Sequence, residues 1–143
     1  MDNNKSVKRR RIKVGLLVSH LEEDFDDQVC EGAMIGAEQA DVNLVIFPGR
    51  YVDGVYADKL RTEYEYQYNT LFDMAAQNKF DVLLVLIGTL GSHLDKDKKA
   101  EFLKKFGSTP VITITARVDG YPCVMLDNRT GLADAIEHLI TVH

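Results

Sequence analysis

IKVGLLVS, residues 12–19, decides the fold class of this chain. The run is almost entirely apolar, has the length of a strand and is rich in branched side chains, which is typical of a parallel strand buried on both faces. Runs of the same character recur at 42–47 (VNLVIF), 80–87 (FDVLLVLI) and 110–115 (PVITIT), and 121–126 (YPCVML) predicts a shorter fifth strand. Strands buried on both faces require helices above and below their sheet.

The segments between these runs have helical periodicity. A first helix begins near Asp24, and its apolar face is predicted to hold Phe25, Val29, Ala33, Gly36, Ala37 and Ala40. Gly32 and Gly36, four residues apart on this helix, predict a close approach to a strand. Further helices are predicted over 58–78, 95–106 and 130–140. Strands that alternate with helices predict an α/β fold, with a doubly wound parallel sheet and right-handed crossovers.

Composition and charge indicate a single globular domain and argue against membrane insertion and direct binding of nucleic acid. The chain has 143 residues, of which 45% are hydrophobic and 27% charged, as expected for one globular domain with a core of its own. No apolar stretch is long enough to cross a membrane, so a cytoplasmic location is expected. Residues 1–11 are predicted to be a basic, disordered leader. The rest of the chain is acidic and would repel nucleic-acid phosphate, so contact with DNA is expected only through an output domain outside this chain.

In a parallel sheet, ligands bind at the carboxyl ends of the strands. No phosphate-binding glycine motif follows the first strand, where the acids of residues 22–24 would instead repel a phosphate. The third strand ends in Ile-Gly-Thr, without the aspartate of a phospho-receiver domain, and no GxSxG esterase motif is present. Neither the two cysteines nor the four histidines have metal-ligand spacing. The sequence therefore predicts a protein that is not an enzyme, with no catalytic residue, metal or cofactor.

Candidate ligand-binding residues are those that follow the strands. The predicted set is Ser19, His20, Phe25, Arg50, Gly88, Thr89, Thr115, Arg117 and Asp127. Two roles stay open for His20, a hydrogen-bond partner of a ligand or an exposed loop histidine. Arg117 is the best candidate for an anionic or polyhydroxyl group, because its guanidinium donates bidentately, but an ion pair to a surface acid is an equal alternative. The tyrosines between Tyr51 and Tyr68 predict either a helix rim or a stacking or dimer surface.

Four segments carry a resemblance to a known family. RIKVGLLVSHLEEDFDDQVCEGAMIGAEQADVNLVIFPG (11–49), KFDVLLVLIG (79–88), PVITITAR (110–117) and, most specifically, VMLDNRTGLADAIEHLI (124–140) resemble the effector-binding domains of lactose-repressor-type regulators. The resemblance implies a fold like that of periplasmic binding proteins, in which two lobes close on a small molecule. Residues 12–143 would then be the first lobe, truncated before the second.

The resemblance also implies a function. A sugar-like or other small metabolite would bind in the cleft, against the candidate residues named above, and the protein would be a homodimer. The family's helix-turn-helix is not found before residue 12, so the expected output lies downstream, as a DNA-binding domain, a diguanylate cyclase or a histidine kinase. A free-standing flavodoxin-like enzyme is the alternative.

Overall fold

The computed structural model describes residues 10–53 and 64–142, and within these ranges the chain forms a five-stranded sheet in which all strands are parallel. The strands are β1 (Lys13–Val18), β2 (Asn43–Pro48), β3 (Val82–Val85), β4 (Val111–Ile114) and β5 (Cys123–Val124). Their order in the sheet is β2-β1-β3-β4-β5. The predicted doubly wound α/β fold is confirmed.

Helices flank the sheet on both faces. They are α1 (Asp24–Gln39), α2 (Thr70–Gln77), the single turn α3 (Ile87–Leu90), α4 (Lys96–Lys104) and α5 (Asn128–Val142), and a 3-10 helix (Glu65–Asn69) precedes α2. The helix α1 covers one face, where Cys30 packs with Leu16 and Val18. The helices α2 and α4 cover the other face, where Phe72 and Leu103 pack with Leu83. No helix in the described ranges is both long and apolar enough to span a membrane.

The predicted helix over 58–78 is only partly correct. Its first residues, 58–63, lie outside the described residues, and 65–69 form the 3-10 helix rather than α-helix. The α-helix starts at Thr70, directly after Asn69, whose side-chain oxygen accepts a hydrogen bond from the backbone N–H of Arg50 at 2.8 Å. This bond ties the end of the 3-10 helix to the loop after β2. The segment 87–90, predicted to continue a strand into a glycine turn, closes one helical turn as α3.

The face that α1 turns toward the sheet agrees with the prediction only in part: Val29 and Ala33 pack against the core as predicted. Asp26 and Cys30 are the buried residues of this helix, whereas Phe25 is 36% exposed. A Cβ atom built on Gly32 or Gly36 would meet nothing within 4 Å, so the predicted close approach to a strand is wrong. Gly32 and Gly36 lie on the open side of α1, and the helix contacts the sheet through the stripe that contains Asp26, Cys30 and Ala33.

The described end of the basic leader is attached to the body of the protein. Arg10 forms an ion pair with Asp81, just before β3, and Arg11 forms one with Asp41, just before β2, at 2.6 Å. The residues before Arg10 lie outside the described residues. Both ion pairs sit at the amino-terminal edge of the sheet, opposite the edge where the candidate ligand-binding residues lie.

Candidate functional site

The strand order places a crevice at the carboxyl edge of the sheet. From β1 the chain crosses to β2 on one side, and it later returns to β3 on the other side of β1. Where neighbouring crossovers leave in opposite directions, the loops after the two strands separate, and ligands of doubly wound proteins bind in the gap. Here the loops concerned are those after β1 and β3.

The loop after β1 is organised around the carboxylate of Asp26. Its Oδ2 atom accepts hydrogen bonds from the backbone N–H of Ser19 (3.0 Å), the hydroxyl of Ser19 (2.6 Å) and the backbone N–H of His20 (3.2 Å). Ser19 and Asp26 are fully buried. These three hydrogen bonds to one carboxylate fix the loop between Ser19 and Asp26. Asp26 therefore determines the position of His20.

Two polar atoms beside this loop lack a hydrogen bond. The second carboxylate oxygen of Asp26, Oδ1, and the Nδ1 atom of His20 are buried without a hydrogen-bond partner among the described residues. His20 Nδ1 lies 3.7 Å from Glu23 Oε1, too far for a hydrogen bond. A buried polar atom without a partner costs about 1–3 kcal/mol, so such atoms are rare in native proteins, and a bound water, ion or ligand is one way to satisfy them.

Aromatic rings from three successive strand ends meet at the crevice. The His20 and Tyr51 rings lie 4.7 Å apart, and the Tyr51 and His93 rings lie 5.3 Å apart in an edge-to-face arrangement. The Tyr51 hydroxyl donates to Glu23 Oε1 at 2.7 Å, which holds the central ring to the β1–α1 loop. We call His20, Tyr51 and His93 the ring cluster. It runs from the half-buried His20 to the exposed His93, and its rings are inclined to one another rather than coplanar.

The candidate residues after β3 and β4 are in contact with each other. A Cβ atom at Gly88 would lie 2.0 Å from the Thr115 hydroxyl oxygen, so only glycine allows these two loops to approach this closely. Thr115 has φ 66°, in the left-handed region, which is strained for a β-branched residue. The hydroxyls bond to the backbone, that of Thr89 to Leu86 and that of Thr115 to Ile114. Strained residues of this kind are concentrated at binding sites.

Arg50 has its guanidinium engaged away from the ring cluster. Its Nη1 atom donates to the Gly49 carbonyl at 2.9 Å, its Nε atom lies 3.8 Å from Glu65, and its Cζ atom lies 4.3 Å from the centre of the Tyr68 ring. These contacts join the loop after β2 to the 3-10 helix. Arg50 therefore positions the backbone from which Tyr51 extends.

The remaining candidates lie at the margins of this edge. Phe25 is partly exposed at the start of α1, and Arg117 is exposed in the β4–β5 loop, where it lines a shallow depression with Asp119 and Tyr121. Asp127 caps α5, since its Oδ1 atom accepts from the backbone N–H of Thr130 at 3.1 Å. That hydrogen bond lowers the pKa of Asp127 below its usual value. The structure therefore shows a capping role for Asp127, and its predicted role in ligand binding stays a prediction.

Sequence reasoning missed Asp26, Glu23 and His93 at the candidate site, and it raised Tyr51 only as one of several tyrosines of a possible stacking surface. One signal was available, because Asp26 shares helical spacing with Cys30 and Ala33 and so lies on the inner face of α1. His20 had a sequence signal, but its contact with Tyr51 and His93 had none, since the three residues belong to separate loops. No group of three or more histidine, cysteine or acidic side chains in the described ranges is arranged to hold a metal ion.

Comparison with known proteins identified no relative of this chain. No family model, curated protein or solved structure matches the chain. The doubly wound α/β fold therefore stands on the structure itself, and the resemblance to lactose-repressor-type sensor domains rests on the sequence segments that carry it.

Proposed function

We propose that this chain is a ligand-binding lobe of a signalling or transcriptional sensor, and that a polar small molecule binds at the crevice between the loops after β1 and β3. The observation that carries the proposal is the ring cluster beside buried, unpartnered polar atoms of His20 and Asp26. An apolar stacking surface combined with a few convergent polar groups is the usual composition of a small-molecule site.

The charges of the site favour a neutral ligand with hydroxyl or N–H donors, such as a sugar or a nucleoside. Asp26 Oδ1 is an acceptor, and the exposed acids Glu22, Glu23 and Asp24 surround the same loop. The same acids weigh against a flavodoxin-like enzyme, because its cofactor phosphate would have to bind at this loop. A cytoplasmic protein that acts through an output domain outside this chain remains part of the proposal, on the strength of the resemblance.

The proposal is tested by nuclear magnetic resonance of the labelled chain titrated with sugars, nucleosides and amino acids. We expect one class to shift the signals of 19–23, 51 and 88–93 in a saturable way. In Tyr51→Ala the shifts should disappear, because the central ring of the cluster is removed. The matched control is Tyr66→Ala, which removes an exposed tyrosine ring of the 3-10 helix and should leave binding intact.

Two results would contradict the proposal. The first is a panel in which no compound shifts these signals at millimolar concentration. The second is a compound that binds Tyr51→Ala and the unsubstituted chain equally well, because the ring cluster would then have no part in binding.

A further inference from the structure

The two faces of the sheet are covered to different extents. On the face of α2 and α4, burial continues across the sheet, through Leu83 in β3 to Val111 and Thr113 in β4. On the face of α1, burial decreases from β1 toward β5. Leu16 in β1 is fully buried, whereas Val124 in β5 is 58% exposed. The cover on this face is therefore incomplete over β4 and absent at Val124 in β5.

The incompletely covered part of this face is a continuous apolar strip, in which Ile112 and Ile114 are partly buried and Val124 is exposed. Ile114 and Val124 are register partners in neighbouring parallel strands, so they lie side by side on the same face. Ile112 precedes Ile114 by two positions and shares that face, and Leu84 is its register partner in β3. We call Ile112, Ile114 and Val124 the bare flank.

The helix α5 carries a matching apolar stripe that none of the described residues 10–53 and 64–142 covers. Leu132, Ile136, Leu139 and Ile140 recur at helical spacing and are 49–77% exposed. Every residue from Val124 to Val142 is exposed, so α5 stands clear of the sheet of its own chain. We call these four residues the α5 stripe. Contiguous exposed apolar residues on a protein surface are typical of an interaction site.

We infer that two copies of this chain exchange α5, each placing its α5 stripe on the bare flank of the other. The helix is about 22 Å long, enough to cross the incompletely covered strands. Both complementary surfaces belong to one chain, so a second copy related by a two-fold axis supplies what each lacks, and the contact closes as a dimer.

The connection between β5 and α5 supports exchange. Only Met125, Leu126 and Asp127 join the two elements. Asp127 is engaged as the cap of α5, through hydrogen bonds to the backbone N–H groups of Thr130 and Gly131. Short hinge segments of this kind favour the swapping of a terminal element between copies. The arrangement in the structure, with α5 extended from the body, is the one that an exchanged dimer requires.

The first experiment measures mass in solution by light scattering over a range of concentrations. We expect a species of twice the 16.1 kDa chain mass. Ile136→Asp should raise the dissociation constant of the dimer at least about tenfold, because it introduces a charge at the centre of the α5 stripe. Thr141→Asp adds the same charge on the opposite side of α5 and should leave the dimer unchanged. Both variants should fold, since α5 contributes no buried residue.

The second experiment distinguishes exchange from closure of α5 on its own chain. In a Cys123→Ser background, Val124→Cys is introduced in one tagged copy and Ile136→Cys in a copy with a different tag, and a short bis-maleimide is added to the mixture. The buried Cys30 should not react, as burial raises the pKa of its thiol. A covalent product that carries both tags is the expected result.

Three outcomes would overturn the inference. They are a monomer at all concentrations, a dimer that Ile136→Asp leaves intact, and cross-linking within a single chain that carries both cysteines but none between the two tagged copies. The outcome of these experiments does not depend on the ligand titration, because the bare flank and the ring cluster are different surfaces.

Discussion

Asp26 and Asp27 are adjacent acids in the first turn of α1, and their surroundings differ. The Asp26 side chain is fully buried and accepts three hydrogen bonds from the β1–α1 loop, whereas Asp27 is exposed to solvent. Both carboxylates interact favourably with the positive, amino-terminal end of the α1 dipole. Only Asp26 also connects the helix to the strand before it.

This difference predicts the effect of removing each charge. Asp26→Asn should lower the free energy of unfolding by about 1–3 kcal/mol, because the amide accepts the three buried hydrogen bonds less well than the carboxylate does. Asp27→Asn should cost about 0.3–1 kcal/mol, through the helix dipole alone. Urea denaturation of the two variants measures the difference. Equal losses would show that the buried hydrogen bonds add nothing to stability.

Asp81 predicts a pH dependence. The Lys13 backbone N–H donates to its Oδ2 atom at 2.8 Å, and this bond, together with the nearby Arg10, lowers the pKa of Asp81 below its usual value. A pKa that is lower in the folded state stabilises the protein above the unfolded-state pKa of about 3.9, and the stabilisation is lost as the pH falls through the folded-state value.

The unfolding free energies of Asp81→Asn and the unsubstituted chain should therefore differ at neutral pH and converge in acid. The control is Asp97→Asn, which removes an exposed acid in the first turn of α4. Urea titrations between pH 7 and the acid limit of folding give the comparison. A difference between Asp81→Asn and the unsubstituted chain that stays constant with pH would rule out this linkage.

At the scale of elements, two glycines have opposite roles. Gly49 follows β2 at a point where a Cβ atom would lie 2.3 Å from the ring of the fully buried Phe72 in α2. Gly32 lies within α1, where an added Cβ would meet nothing within 4 Å. The first glycine permits packing between elements, and the second only weakens the helix that contains it.

Alanine at these positions should change stability in opposite directions. Gly49→Ala should destabilise the fold by about 1–3 kcal/mol, because the Phe72 ring must move within a packed core. Gly32→Ala should stabilise it by about 0.5–1 kcal/mol, through the better helix propensity of alanine. Thermal and urea unfolding of both variants test this pair. A stable Gly49→Ala variant would mean that α2 can shift away from β2 without loss of packing.

For the whole molecule, burial predicts unequal local stability. The inner strands β1 and β3 lie between two packed faces, whereas α5 has no buried residue. Amide hydrogens of β1 and β3 should therefore exchange most slowly with solvent, and those of 128–142 most rapidly in dilute solution. If two copies exchange α5, the protection of 128–142 should rise with protein concentration while that of β1 stays constant. Hydrogen-exchange mass spectrometry at two concentrations measures both.

The sequence by itself determined the strands, the α/β class and the edge of the sheet where candidate binding residues gather. Branched apolar runs such as 12–19 specify buried parallel strands without reference to anything distant in the chain. Ser19, His20, Gly88 and Thr115 could be identified because each follows such a run. This information lies in the local periodicity of the sequence, which does not depend on residues elsewhere in the chain.

Only the tertiary structure decided which side chains meet. Tyr51 and His93 join His20 because three loops converge at the point where the crossover connections change direction. No local sequence pattern records a contact between residues so far apart. Packing likewise turned Asp26 inward and left Phe25 partly exposed, although both lie in the same helical turn. The bare flank became visible only with the sheet assembled, because the exposure of a strand face depends on which helices lie over it.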